Sequence, residues 1–154
     1  YKKYKGIYFE FGSQLYRYHH KIKIGKNVYL KRNSIIGCSN ELSQIQIGNN
    51  TTIGFNSIIM ASEKITIGED CMVAPNVFIV DSNHGMEPGV PFNRQSNKCQ
   101  AVSVGNNVWI GAGTIILPGV EIANDIIIGA GSVVTKSVTK PGIYLGNPAR
   151  RHST

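Results

Sequence analysis

Apolar residues recur along this chain at a spacing of six. An Ile, Leu or Val opens a six-residue block at fifteen positions, and eight of the fifteen are followed directly by Gly. The openers are Ile24, Leu30, Ile36, Ile47, Ile53, Ile59, Ile67, Val73 and Ile79, then an unbroken run of Val104, Ile110, Ile116, Ile122, Ile128 and Val134 over 104–139. Six matches neither the 3.6-residue period of an α-helix nor the two-residue period of an ordinary strand. It is the mark of a β-solenoid. Gly-Lys-Asn, Gly-Asn-Asn, Gly-Glu-Asp and Gly-Ala-Gly follow the openers and suit corners where φ turns positive or side chains must be small. The fifth position of each block is small or β-branched: Val28, Ser34, Thr51, Ser57, Cys71, Val77, Val108, Thr114, Val120, Ser132. A large inner residue thus alternates with a smaller one, which fills a narrow prism. Three blocks make one triangular coil rising about 4.8 Å, and the blocks suffice for about five to six coils.

The rhythm fails in three places. Ile36 to Ile47 is eleven residues, which puts extra chain at one corner around 40–46, and Ile59 to Ile67 is eight, a bulge near Ser62 and Glu63. Ile79 to Val104 is twenty-five, so a loop protrudes over about 85–101. Insertions in solenoids gather on the binding face, and long loops in compact domains are usually functional. His84, the one histidine within the repeats, stands at the root of this loop. His19, His20 and His152 lie outside the repeats and receive no role.

Composition narrows the function classes. At 154 residues the chain is one domain by length, divided here into a segment 1–22, a β-helix 23–139 and a tail 140–154. No apolar run approaches the ~20 residues of a membrane span, and neither a signal peptide nor an initiator Met is visible. Three widely separated cysteines, Cys38, Cys71 and Cys99, fit neither a disulfide framework nor a zinc spacing. A reducing, cytoplasmic setting is the expectation. The net charge is +7, and residues 1–32 hold nine Lys or Arg against Glu10 alone. That stretch is a solvated face, or a surface for anionic lipid, acidic glycan or nucleic acid; nucleic acid is least favoured because no recognition motif accompanies the charge. The same stretch is aromatic, with Tyr1, Tyr4, Tyr8, Phe9, Phe11, Tyr16 and Tyr18, and is expected to cap the open first coil, whose strand edges would otherwise be exposed.

The hexad run, VDSNHG at 80–85 and VGNNVWIGAG at 104–113 together resemble the hexapeptide-repeat O-acetyltransferases, which include the galactoside, maltose and exopolysaccharide acetyltransferases. The resemblance covers about 24–150. It implies an all-β, left-handed parallel β-helix; handedness comes from the resemblance alone, since left-handed coils break the usual crossover rule. It also implies acetyl-CoA as co-substrate without a metal, a homotrimer with active sites between subunits, and His84 as general base. A neutral imidazole within hydrogen-bond reach takes the proton of a sugar hydroxyl as the oxygen attacks the acetyl carbon. The second ring nitrogen must be held by an acceptor; Asp81 and a backbone carbonyl are equal candidates. A backbone N–H from the glycine-rich corners is the expected donor to the oxyanion.

By the same resemblance Trp109 borders the pantetheine arm, and Gly111, Ala112 and Ala130 let it approach the backbone. Thr135 and Lys136 in VVTK and Arg150 in GNPAR match positions that hold the nucleotide end, and Lys and Arg suit phosphate oxygens. Each has a plainer reading: Trp109 packs between coils or subunits, the alanines are good corners, and Lys136 and Arg150 are ordinary solvated charges. Asn56 in IGFN and Asn76 in VAPN either contact a sugar hydroxyl or simply tolerate a left-handed corner. A sugar of a surface polysaccharide or glycan intermediate is the favoured acceptor, with contact to the inner membrane face through the basic segment. The alternatives are N-acetylation of an amino-sugar nucleotide, inactivation of an antibiotic, and a non-enzymatic binding solenoid. A γ-type carbonic anhydrase needs three zinc histidines, and the repeats hold one.

Overall fold

The computed structural model describes residues 2–152, and the side chains from Lys5 onward. Tyr1 of the aromatic segment lies outside them, as do the side chains of Lys2, Lys3 and Tyr4. Among the described residues the chain is all-β apart from two short 3-10 turns, His19–Lys21 and Phe92–Arg94.

Three parallel sheets form the faces of a triangular solenoid. The first face stacks Ile7–Phe9, Val28–Leu30, Thr52–Ile53, Met72–Val73, Trp109–Ile110, Ile126–Ile128 and Gly142–Leu145. The second stacks Gln14–Tyr16, Ile35–Cys38, Ile58–Ala61, Phe78–Val80, Ile115–Ile116 and Val133–Val134. The third stacks Ile22–Ile24, Gln44–Ile47, Lys64–Ile67, Val102–Val104 and Glu121–Ile122, closed by a bridge from Ile122 to Val138. The openers are in register from coil to coil, Leu30 opposite Ile53 and Ile110 opposite Ile128. Fourteen of the fifteen are buried, and only Ile24, in the first coil, is half-buried. All ten fifth-position residues are buried with them.

The hydroxyls among those inner residues explain how polar groups survive inside the prism. Thr51 Oγ1 donates to Gly68 O at 2.9 Å and Ser57 Oγ to Ala74 O at 2.9 Å, each reaching the next coil. Ser132 Oγ donates to Gly129 O and accepts from Gly146 N. Buried polar groups need such partners. Ser34 Oγ has none.

The ladder starts earlier than the hexads indicate. Ile7–Phe9 and Gln14–Tyr16 pair in parallel with the coil above them, so most of 1–22 is the first coil of the solenoid rather than a separate cap. Phe9 opposes Leu30 and Leu15 opposes Ile36; a phenylalanine holds the opener position in this coil. Capping is done at the very ends, where Lys2–Tyr4 folds back antiparallel on Ile7–Phe9 and Arg150–Arg151 on Gly142–Leu145.

The three edges differ. Edge one joins the first face to the second, and its corner residues Gly12, Asn33, Asn56, Asn76, Gly113 and Gly131 all have positive φ. Edge three joins the third face to the first through Asn27, Asn50, Asp70, Asn107 and Asp125, also left-handed. Asn and Asp tolerate this conformation better than other non-glycine residues. Edge two, between the second and third faces, carries all three interruptions of the rhythm: 39–43, Ser62 with Glu63, and the long loop.

Candidate active site

The loop leaves edge two as a hairpin. Ser82–His84 runs antiparallel to Asn97–Cys99, with His84 opposite Asn97. Gln95 ties the tip together, its Nε2 donating to Val90 O at 2.8 Å and its Oε1 accepting from Glu87 N at 2.8 Å. Residues of the hairpin tip, among them Glu87, Arg94, Gln95 and Lys98, enclose a hollow of about 280 Å³ that His84 does not line. His84 is exposed, and its ring makes no hydrogen bond among the described residues.

Asp81 does not orient it. Asp81 is fully buried, and its two oxygens accept the backbone N–H of Ser62 at 2.6 Å and of Glu63 at 2.8 Å. Residues three apart on extended chain also point to opposite sides. The expectation of an Asp81–His84 pair is therefore corrected: the carboxylate closes the corner of the neighbouring coil. Above it Ser62 Oγ joins Ser39 Oγ and Ser82 Oγ in a hydroxyl stack. Sequence reading missed this use of Asp81, although the two-residue bulge at Ser62 and Glu63 signalled amides in need of an acceptor.

The remaining candidates fall into two groups. Thr135 and Lys136 are exposed on edge two with His84. Asn56, Asn76, Gly111, Ala112 and Ala130 lie on edge one, and Trp109, 47% exposed, stands on the first face between Met72 and Ile127. Arg150 is exposed on the terminal antiparallel strand, its Nη1 donating only to Ala149 O. One chain by itself does not gather all of them; the second face separates the edges.

Edge one is also a set of backbone donors. The N–H groups of Gly111, Gly113 and Gly131 are committed to Ile128 O, Pro75 O and Ala112 O, so the glycines are not free to serve an oxyanion. The N–H groups of Ala112 and Ala130 have no hydrogen bond among the described residues, and both residues are exposed. A Cβ on Gly111 would meet Ala130 N at 2.5 Å, so glycine is required there for coil stacking. Asn56 and Asn76 do occupy left-handed corners at φ 55° and 58°; Asn56 Oδ1 accepts from Asn33 Nδ2 at 3.4 Å, whereas Asn76 is exposed and its side chain has no such bond among the described residues.

No thiol is placed for nucleophilic work. Burial pushes Cys71 up from its ordinary value, and its Sγ donates to Gly105 O at 3.1 Å. Cys38 is also raised chiefly by burial, and Cys99 by burial with the nearby Asp81 and Glu63 charges. Thiolates are the reactive form.

Residues 101–136 match the family described as bacterial transferase hexapeptide (six repeats), and residues 44–80 the hexapeptide repeat of succinyl-transferase. A maltose O-acetyltransferase from Clostridium difficile 630 superposes with a TM-score of 0.64 and 33% identity, covering 92% of this chain and 68% of that one. This chain belongs to the hexapeptide-repeat transferase family. Nodulation protein L of Rhizobium meliloti is 46% identical over 108 residues, 69% of this chain and 57% of the relative. AntD, an N-acyltransferase from Bacillus cereus in complex with dTDP and 3-hydroxybutyryl-CoA, shares the fold at a TM-score of 0.81 and 24% identity, covering 96% of this chain and 79% of that one. The chain spans little more than half the length of the sequence relatives it matches. The maltose O-acetyltransferase and AntD are both acyl-transferring enzymes, one an O-acetyltransferase and the other an N-acyltransferase.

Proposed function

We propose that the protein is an acetyl-CoA-dependent O-acetyltransferase that acetylates a sugar hydroxyl, with His84 as general base. The observation that carries this reading is the exposed, unengaged imidazole of His84 at the root of the one long loop in an otherwise periodic solenoid. The acceptor hydroxyl gives its proton to His84, its oxygen attacks the thioester carbonyl, and the tetrahedral intermediate collapses with coenzyme A thiolate leaving. With Asp81 occupied elsewhere, a backbone carbonyl is the acceptor left for the second ring nitrogen. The raised thiols favour this direct transfer over an acyl-cysteine intermediate.

Acetyl-CoA lies along edge one, where the free N–H groups of Ala112 and Ala130 suit the amide carbonyls of a pantetheine arm. Trp109 borders that arm, and Lys136 and Arg150 take the nucleotide phosphates. Because edge one and edge two flank the second face, a second copy packed on that face would bring His84 of one chain to the coenzyme of another. Its outward residues Ile58, Phe78, Ile115 and Val133 are apolar and partly exposed, which supports a homotrimer. An acetyl-CoA donor suits the cytoplasmic compartment, and the acceptor is a sugar unit of a surface polysaccharide or glycan intermediate.

The test is coenzyme A release across a panel of sugars, glycan intermediates and amino-sugar nucleotides, with His84→Ala alongside. The reading expects release with hydroxyl acceptors, loss of about a hundredfold or more in His84→Ala, and retained coenzyme binding. Unchanged turnover in His84→Ala overturns the base assignment, and turnover confined to amino sugars replaces O- with N-acetylation. Mixing His84→Ala subunits with Ala112→Trp subunits restores part of the activity if the site is shared between chains.

A further inference from the structure

Edge one has a gradient along its length. The residue just before each left-handed corner is Phe11, Arg32, Phe55, Pro75, Ala112 and Ala130 in successive coils. Backbone hydrogen bonds join them into one column: Asn33 N to Phe11 O, Asn56 N to Arg32 O, Asn76 N to Phe55 O, Gly113 N to Pro75 O and Gly131 N to Ala112 O. Small side chains line the C-terminal coils, and bulky aromatic and cationic ones the first three.

At that N-terminal end Glu10, Phe11, Arg32 and Phe55 enclose a recess of about 410 Å³, within the range of small-ligand sites. Phe11 is 86% exposed and Phe55 43%. Neither ring is needed to fill the prism, whose interior is occupied by the openers and fifth-position residues. The Glu10 carboxylate accepts from Lys31 Nζ at 3.1 Å and from the backbone N–H of Arg32 at 2.9 Å. This pins the Arg32 backbone through its amide and leaves the guanidinium without a hydrogen bond or ion pair among the described residues. Lys31 Nζ lies 6.0 Å from the Phe55 ring centroid while paired with Glu10, so the carboxylate that lines the recess is offset.

Arg32 belongs to the coil between those of Phe11 and Phe55, and a guanidinium sharing a recess with two exposed phenyl rings suits an anion attached to a ring or an apolar chain: the fork matches phosphate oxygens, and the rings cover the organic part. We propose that this recess binds the phosphate or diphosphate ester that carries the acceptor sugar, so that the substrate is a phosphate-linked glycosyl unit rather than a free sugar. The inference rests on the acetyl-transfer reading for its place in the reaction. Arg32 stands three coils from Ala112, about 14 Å along the column, a span that a hexose and its diphosphate can bridge. The exposed Asn76 lies between the two ends.

The experiment is calorimetric titration of the intact chain, without acetyl-CoA, using uridine diphosphate, farnesyl diphosphate, inorganic pyrophosphate and methyl glucoside. The expected result is binding of an organic diphosphate about tenfold or more tighter than pyrophosphate, with methyl glucoside not bound at this site. Arg32→Gln should weaken it about tenfold or more, the loss of one charge-assisted contact, and Phe11→Ser should weaken it at a position too exposed to affect folding. The tighter of the uridine and farnesyl ligands identifies a nucleotide or a lipid carrier. No organic diphosphate binding, or binding indifferent to Arg32→Gln and Phe11→Ser, overturns the proposal. His84→Ala is expected to bind the diphosphate as the native chain does. Diphosphate binding without acetyl transfer would sink the transferase reading while leaving the recess standing, and transfer without diphosphate binding the reverse.

Discussion

The carboxylate of Asp81 accepts the backbone N–H of Ser62 across two successive coils, at 2.6 Å, and fastens edge two at the coil from which the loop departs. The second oxygen does the same for Glu63 at 2.8 Å. Asp81→Ala should therefore lose about 2–3 kcal/mol of stability, since it strands two amides against a buried site. Urea unfolding measures this. The acidic limb of the pH–rate profile should stay where it is; a shift of that limb would restore Asp81 as the partner of His84.

Gly111 and Gly113 should respond in opposite ways. Gly111→Ala drives a Cβ to 2.5 Å from Ala130 N and 2.8 Å from Ile128 O, backbone atoms that cannot turn aside, and should destabilise by about 2–3 kcal/mol or more. Gly113 has φ +69° with nothing within 4 Å of an added Cβ. Gly113→Asn should cost under about 1 kcal/mol, because Asn already fills the same corner at 33, 56 and 76 and tolerates the left-handed conformation. Thermal unfolding of the two variants separates a packing requirement from a conformational one.

Ser34→Ala should be neutral or stabilising, because its buried hydroxyl has no partner. Ser57→Ala, which removes the 2.9 Å bond to Ala74 O and the acceptor of Val77 N, should lose about 1–2 kcal/mol. The two sites differ by one coil, so a difference in midpoint reports the hydrogen bonds rather than the position.

The buried thiols give a pH dependence of definite sign. Folding holds Cys71 and Cys38 protonated by desolvation, so the folded value lies above the unfolded one. Their contribution is fully present below the unfolded thiol pKa of about 8.5 and is lost as pH rises through the folded value. Alkylation should stay slow at pH 8.5 and accelerate only as the chain opens, and fast labelling of Cys71 in the folded protein would contradict it.

Lys136→Ala and Arg150→Ala should each raise KM for acetyl-CoA by about tenfold with kcat little changed, the mark of a binding contact. Dephospho-coenzyme substrates would show which of the two meets the 3′-phosphate.

The inner lining was readable because the hexad places one opener and one fifth residue per side, and burial follows that count at fourteen of fifteen openers. The first coil was not readable with an Ile, Leu or Val criterion, since Phe9 replaces the aliphatic and the 3-10 turn His19–Lys21 interrupts the spacing. His84 stood out in the sequence because it sits where the period stops, and it lies exposed at the base of the hairpin. Asp81 was misjudged because nearness in sequence stood in for nearness in space: strand alternation turned it inward while His84 stayed outside. The Phe11–Arg32–Phe55 column could not be seen at all, because its members are separated by 21 and 23 residues and meet only when coils of unequal length are stacked.

That column makes the solenoid a graduated scale. Each coil advances a ligand contact by one fixed increment of about 4.8 Å, so the distance between two halves of a substrate is set by how many coils lie between their sites. Excising 51–70, the chain from Thr51 to its stacked equivalent Cys71, would shorten that ruler by one division but would also remove Phe55 from the recess and the Ser62 and Glu63 amides that Asp81 holds. On the proposed binding mode, the reach between the recess and the coenzyme therefore changes only in whole coils.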